Sequence, residues 1–154
     1  AMTGWRMGYA VGQPDIISAM TTVLSHMTGN AAAVSQAAAL AALTGDQTPV
    51  AEMKAAFQQR LDRIYPLLAA VPGFKLEHKP QGAFYLFPDV SAAMAMKGIT
   101  TTSDFVAAVL NEAHVALVTG SAFGLPGHVR LSYAADLATL LSAIERLTKF
   151  MTTP

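Results

Sequence analysis

Cysteine is absent from this sequence of 154 residues, which excludes a disulfide scaffold and a thiolate metal site. Net charge is absent too: ten Lys and Arg balance ten Asp and Glu. That balance leaves no electrostatic footprint for a nucleic-acid backbone, and an acidic membrane surface is equally unsupported. Four histidines are scattered along the chain and read as surface or packing residues rather than as ligands. Hydrophobic residues make up 53% of the chain, yet much of that share is alanine, and no run has the length and hydrophobicity of a membrane span. The first residues lack a basic stretch followed by an apolar core, so no signal peptide is visible and cytoplasmic residence is the default expectation. Internal repeats and low-complexity linkers are missing as well. What is present is enough chain for a domain with a hydrophobic core.

Residues Trp5 to Val11 alternate weakly and read as a short strand. After Gln13-Pro14-Asp15, the residues Ile16, Ile17, Met20, Leu24 and Met27 recur with helical spacing. A second helix is expected from about Ala31 to Leu43, where small side chains permit close packing. Thr48-Pro49 reads as an N-cap followed by a pre-set first helical residue. Val50, Met53, Phe57, Leu61, Ile64 and Leu68 then trace one apolar face, with Pro66 expected to bend or end the helix. In the second half, Phe74, Leu76 and His78 alternate with charged residues, and Pro80-Gln81-Gly82 leads into AFYLF, suggesting a hairpin or neighbouring strands. Ser103 is expected to cap a helix, Val115 to Val118 and Val129 to Tyr133 to form strands, and Asp136 to cap a final helix. The pattern predicts an α/β fold, a small sheet covered by helices and preceded by two helices from a neighbouring domain.

Two short segments carry arginines in a chain otherwise poor in charge: TGWRMGY at Thr3 to Tyr9 and HVRLSYA at His128 to Ala134. Arginine offers a planar fork of donors matched to carboxylate or phosphate oxygens, and its charge persists at neutral pH. Arg6 lies between Gly4 and Gly8, which let backbone and ligand approach closely. An anion site and an ordinary ion-paired arginine at a strand edge both fit that setting. Strand alternation places Val129, Leu131 and Tyr133 on one face and Arg130 with Ser132 on the other. Arg130 is then held rigidly towards a cleft or stands outward in solvent.

The segments MTGWRMGYA, SQAAALAAL, PQGAFYLFPD, TGSAFG and GHVRLSYA, in that order along nearly the whole chain, closely resemble the fold-type I, class I/II aminotransferases that use pyridoxal 5'-phosphate, especially the bacterial aspartate aminotransferase-like branch. The resemblance implies a carboxyl-terminal part of such an enzyme, with residues 1–45 ending the large cofactor-binding domain and residues 46–154 forming the small domain around a short mixed sheet. It implies that Arg6 pairs with the cofactor phosphate and that Arg130 receives the substrate carboxylate. Gly82 and Phe84 match the segment that closes over the substrate, Phe84 reading equally as core. Asn30 falls in the loop that approaches the neighbouring site in the family's homodimers, and reads otherwise as a helix cap. Phe123 and Gly124 shape the wall beside Arg130, while Ser132 and Tyr133 support the strand. The Schiff-base lysine of the family would fall just before residue 1, so this chain is expected to be a catalytically incomplete fragment. Lys54, Lys75, Lys79, Lys97 and Lys149 do not occupy its motif.

The implied activity of the complete protein is transfer of an amino group between an amino acid and a 2-oxo acid. Two alternatives share the residues: a carbon–sulfur lyase or synthase on the same scaffold, and a non-catalytic effector-binding module of a regulator.

Overall fold

The computed structural model describes residues 2–153, and its backbone divides into two units, Ala1–Ala51 and Glu52–Pro154. In the first, a single 3-10 turn at Thr3–Trp5 ends on Arg6, whose backbone is left-handed at φ 52° and ψ 47°. That conformation breaks an extended pleat, and the strand expected over Trp5 to Val11 does not form. Helix α1 (Pro14–Met27) begins behind an extended Gln13 with Pro14 at its first turn, where a missing N–H is not needed. Asp15 in its first turn and His26 in its last suit the helix dipole. Helix α2 (Ala33–Thr44) follows, its Ser35 buried.

The unit boundary falls in the opening turn of helix α3 (Thr48–Ala69). Thr48 is already helical, and the capping expected of it passes to Asp46, whose Oδ1 accepts from the Thr48 amide at 2.9 Å and hydroxyl at 2.8 Å. Leu61, Ile64 and Leu68 form the buried stripe of α3. Pro66 does not stop the helix, which runs on to Ala69; Leu68, fully buried, holds that last turn against the core.

Strands β1 (Tyr85–Leu86), β2 (Val118–Thr119) and β3 (Val129–Ser132) form a sheet in the order β1-β3-β2. Both ladders are antiparallel, with Leu86 opposite Leu131 and Val118 opposite Arg130. The sheet is therefore antiparallel rather than mixed. The β2–β3 connection is a short glycine-rich turn, and a parallel pair would need a crossover of about a dozen residues or more. Val115 and Leu117 are buried between exposed neighbours, but pairing begins only at Val118. The stretch from Phe74 forms no strand; its one bridge, Lys75 to Asp89, lies outside the three strands and is closed by two 2.9 Å backbone hydrogen bonds.

Helices α4 (Ser91–Met96), α5 (Thr102–Ala108) and α6 (Leu137–Thr152) cover this unit, with a π-helical turn at Val109–Ala113. The cap of α5 is Thr101, not Ser103: the Thr101 hydroxyl accepts from the Asp104 amide at 3.1 Å and donates to its carboxylate at 2.6 Å. Thr102 faces inward, and its Oγ1 accepts from the Gly127 amide at 2.8 Å. Asp136 caps α6 as expected, accepting from the Thr139 amide at 2.9 Å and hydroxyl at 2.6 Å. Phe105, Val109, Val129, Leu131, Leu140, Ile144 and Leu147 are among the side chains that fill the space between sheet and helices.

Candidate functional site

Arg130 stands at the second position of β3, whose burial alternates along Val129, Arg130, Leu131 and Ser132. Val129 and Leu131 are in the core, so the pleat turns the half-buried Arg130 to the open face of the sheet. There its guanidinium carbon lies 4.4 Å from the centroid of Tyr85 and 4.5 Å from that of Phe123. Such contacts are each worth about 0.5–1 kcal/mol at exposed sites. Among the described residues no carboxylate pairs with Arg130; the ion pairs are Lys75 with Glu77 and Lys79 with Asp62.

The rings arrive from separate elements. Tyr85 is paired opposite Ser132, which puts it on the same face as Arg130. Phe123 ends a 3-10 turn, Gly120–Phe123, whose entry is capped by the Thr119 hydroxyl accepting from the Ser121 amide at 3.4 Å. The Gly120 amide donates to the His128 carbonyl at 2.7 Å. A Cβ on Gly120 would lie 2.5 Å from that carbonyl oxygen and closer still to that of Leu125, so a glycine is required where the turn folds back on β3. Phe87 extends the aromatic face, its ring 6.1 Å from Phe123 and 5.4 Å from His128.

Gly82 and Phe84 lie on the segment leading into β1. Gly82 is exposed, with open space where a side chain would stand. It borders a cavity of ≈ 270 Å³ lined also by Lys54, Phe57, Gln58, Gln81 and Tyr133. Phe84 is half-buried against the core, stacked on Phe57 at 5.8 Å, and its carbonyl accepts from the Tyr133 amide at 2.9 Å. Tyr133 also donates its hydroxyl to the Ala83 carbonyl at 3.0 Å, and burial pushes its phenol pKa upward. It thus ties the segment down where Ala83 adopts a left-handed φ of 57°. Below β1, the Asp89 carboxyl is held under its ordinary range by the Ser91 amide, which donates to Oδ1 at 2.8 Å.

In the first unit Arg6 is exposed, and its Nη1 donates to the Thr3 carbonyl at 3.4 Å. Among the described residues it too has no carboxylate partner. Gly4 and Gly8 have nothing within 4 Å of a would-be Cβ, so the flanks of the arginine are open. A cation with spare donors and clear flanks fits a phosphate group, the anion that the resemblance assigns to it. Asn30 is exposed in the loop between α1 and α2; the caps there are Thr28 and Ala32, so its reading as a helix cap does not hold. No group of three metal-ligating side chains occurs among the described residues.

The structure thus joins Arg130 to Phe123, which sequence reasoning placed in its wall, and to Tyr85, which it missed. The signal for Tyr85 was present in AFYLF: if Leu86 is core, alternation turns Tyr85 and Phe87 to the other face. Phe84 lies on the core side, away from the guanidinium.

The family model of aminotransferase class I and II matches residues 1–147. The chain belongs to the class I and II aminotransferase family. It is 55% identical over 151 residues to an asparagine–oxo-acid transaminase of Streptococcus mutans and 56% identical to an aspartate aminotransferase of Geobacillus stearothermophilus, matching 98% of this chain and 38% of each relative. Among solved structures, an aspartate aminotransferase of Rhizobium meliloti is similar with a TM-score of 0.81 at 41% identity, over 97% of this chain and 38% of that one. One from Thermotoga maritima gives 0.82 at 36% identity, over 99% and 37%. This aminotransferase-family chain therefore spans little more than a third of the length of the relatives it matches. No helix among its described residues is long and apolar enough to cross a membrane.

Proposed function

We propose that the whole protein transfers an amino group between an amino acid and a 2-oxo acid, with pyridoxal 5'-phosphate as cofactor. Residues 1–45 end its large domain, and residues 46–154 form its small domain. The observation that carries the reading is Arg130: a guanidinium fixed by a core strand, in contact with aromatic rings, and with no carboxylate partner among the described residues. The relatives named as asparagine and aspartate transaminases favour amino-group transfer over lyase or effector-binding readings, and favour donors of the aspartate type.

Arg6 holds the cofactor phosphate through its unpaired donors. The cofactor, when bound, supplies the electron sink that makes the α-hydrogen of an amino acid acidic. Arg130 binds the α-carboxylate and orients the amino acid. Gly82 leaves room beside the substrate, Phe84 anchors the segment that bears it, and Asn30 reaches towards the neighbouring site of a homodimer. The protein acts in the cytoplasm. None of Lys54, Lys75, Lys79, Lys97 and Lys149 serves as the lysine that carries the cofactor. Lys75 and Lys79 are held by carboxylates at the surface, and Lys97 donates to the Thr153 carbonyl.

The test is Arg130→Ala in the full-length protein, assayed with aspartate and 2-oxoglutarate. Losing a charge-assisted contact of about 1.5–3 kcal/mol lowers kcat/KM by about 10- to 100-fold. Unchanged affinity and turnover would remove Arg130 from the site.

A further inference from the structure

A guanidinium recognises a carboxylate through the N–H groups at its edge, and aromatic rings stack on its flat face. The two kinds of contact do not compete. At Arg130 the rings of Tyr85 and Phe123 lie 4.4 Å and 4.5 Å from the guanidinium carbon. Neither can neutralise the charge as a carboxylate would, so the cation is held and still available for an anion.

Each ring is itself braced. Tyr85 is set by its ladder position opposite Ser132 and lies 4.6 Å from the Phe84 ring, which packs on the core. Phe123 is met edge-on by Phe87 at an interplanar angle of 82°. Yet Phe123 is 49% exposed, so burial of apolar area does not by itself account for a phenylalanine there. Its turn is built around Gly120, where a Cβ would collide with backbone. The ring is presented to Arg130 by a backbone that has little freedom to move it away.

We propose that Tyr85 and Phe123 are positioning residues for Arg130. They restrict the guanidinium to orientations in which its donor edge meets the carboxylate of the amino acid or 2-oxo acid. This deepens the proposed function and rests on its assignment of Arg130 as carboxylate receptor.

The test uses the full-length protein with its cofactor, with aspartate and 2-oxoglutarate as substrates. Tyr85→Leu and Phe123→Leu each lower kcat/KM by about three- to fivefold, and the double variant by about tenfold, mainly through a raised KM for both substrates. Tyr85→Phe and Phe123→Tyr keep the rings and restore the parent values. In an Arg130→Ala background the leucine substitutions have no further effect, because the group they position is gone. Thermal unfolding of each variant identifies losses due to misfolding. Should Tyr85→Leu fail to fold, the half-exposed Phe123 carries the test alone. Leucine effects of equal size with and without Arg130, or no effect of the leucines where Arg130→Ala is impaired, overturn the positioning role and leave the reading of Arg130 standing. An Arg130→Ala variant with unchanged kcat/KM overturns both.

Discussion

At Arg130 the period of a single strand separates two tasks. Val129 and Leu131 are in the core, while the residue between them keeps its charge on the open face without a carboxylate partner among the described residues. That division is legible in HVRLSYA, since alternating burial follows from the pleat alone. The contact with Tyr85 was less legible than that with Phe123, which lies in the turn just before β3: alternation in AFYLF gives the face of Tyr85, but no periodicity pairs its strand with β3. Arg6 shows the opposite balance. Its flanking glycines marked it in the sequence, but the expected strand is replaced by a 3-10 turn and a left-handed arginine. A positive φ at a non-glycine residue leaves no trace in composition. If Arg6 holds the cofactor phosphate, Arg6→Ala weakens binding of pyridoxal phosphate to the full-length apoprotein by about 10- to 100-fold. Equilibrium titration followed by absorbance measures this, and an unaltered dissociation constant would assign the phosphate to other groups.

Elements with a strong local cause were read correctly. Helix α1 has proline in its first turn and apolar residues at helical spacing, and α6 has Asp136 as its cap. Where two residues could do the same work, the neighbour took it: Thr101 caps α5 in place of Ser103, and Asp46 receives the Thr48 amide. The hydroxyl or carboxylate that lies in reach of the orphan amide decides, and reach is a matter of backbone geometry rather than residue type. The Asp136 cap carries a pH signature. Bonds from the Thr139 hydroxyl and amide hold its carboxyl below the ordinary value. The cap's contribution to stability is therefore present above the unfolded value of about 3.9 and is lost as pH falls through the lower folded value. Asp136→Asn removes this titration. The stability difference between parent and variant, measured by denaturant unfolding across pH, is expected to be constant near neutrality and to shrink below about pH 4. A difference that stayed constant through the acid range would show that the Asp136 charge does not contribute.

On the scale of the whole molecule, the core lies in one place. Every buried hydrophobic side chain among the described residues belongs to the unit Glu52–Pro154. In the unit Ala1–Ala51 the apolar residues Ile16, Met20, Val23, Leu24 and Met27 of α1 are exposed, so its amphipathic pattern was readable but what it packs against was not. The chain matches 38% of the length of its transaminase relatives, and the activity proposed belongs to the longer protein. The antiparallel sheet likewise differs from the mixed one that the resemblance implied: the short β2–β3 turn requires one antiparallel pair, but the direction of β1 against β3 is set by contacts across the unit rather than by local pattern. The central claim is that Arg130 receives the carboxylate of the substrate, with Arg6 proposed at the cofactor phosphate. The most direct measurement is a crystal structure of the full-length protein with pyridoxal phosphate and aspartate bound. The expected result is the Arg130 guanidinium on the α-carboxylate and the Arg6 guanidinium on the phosphate oxygens; an α-carboxylate bound by other groups, with Arg130 making no contact to the substrate, would contradict it.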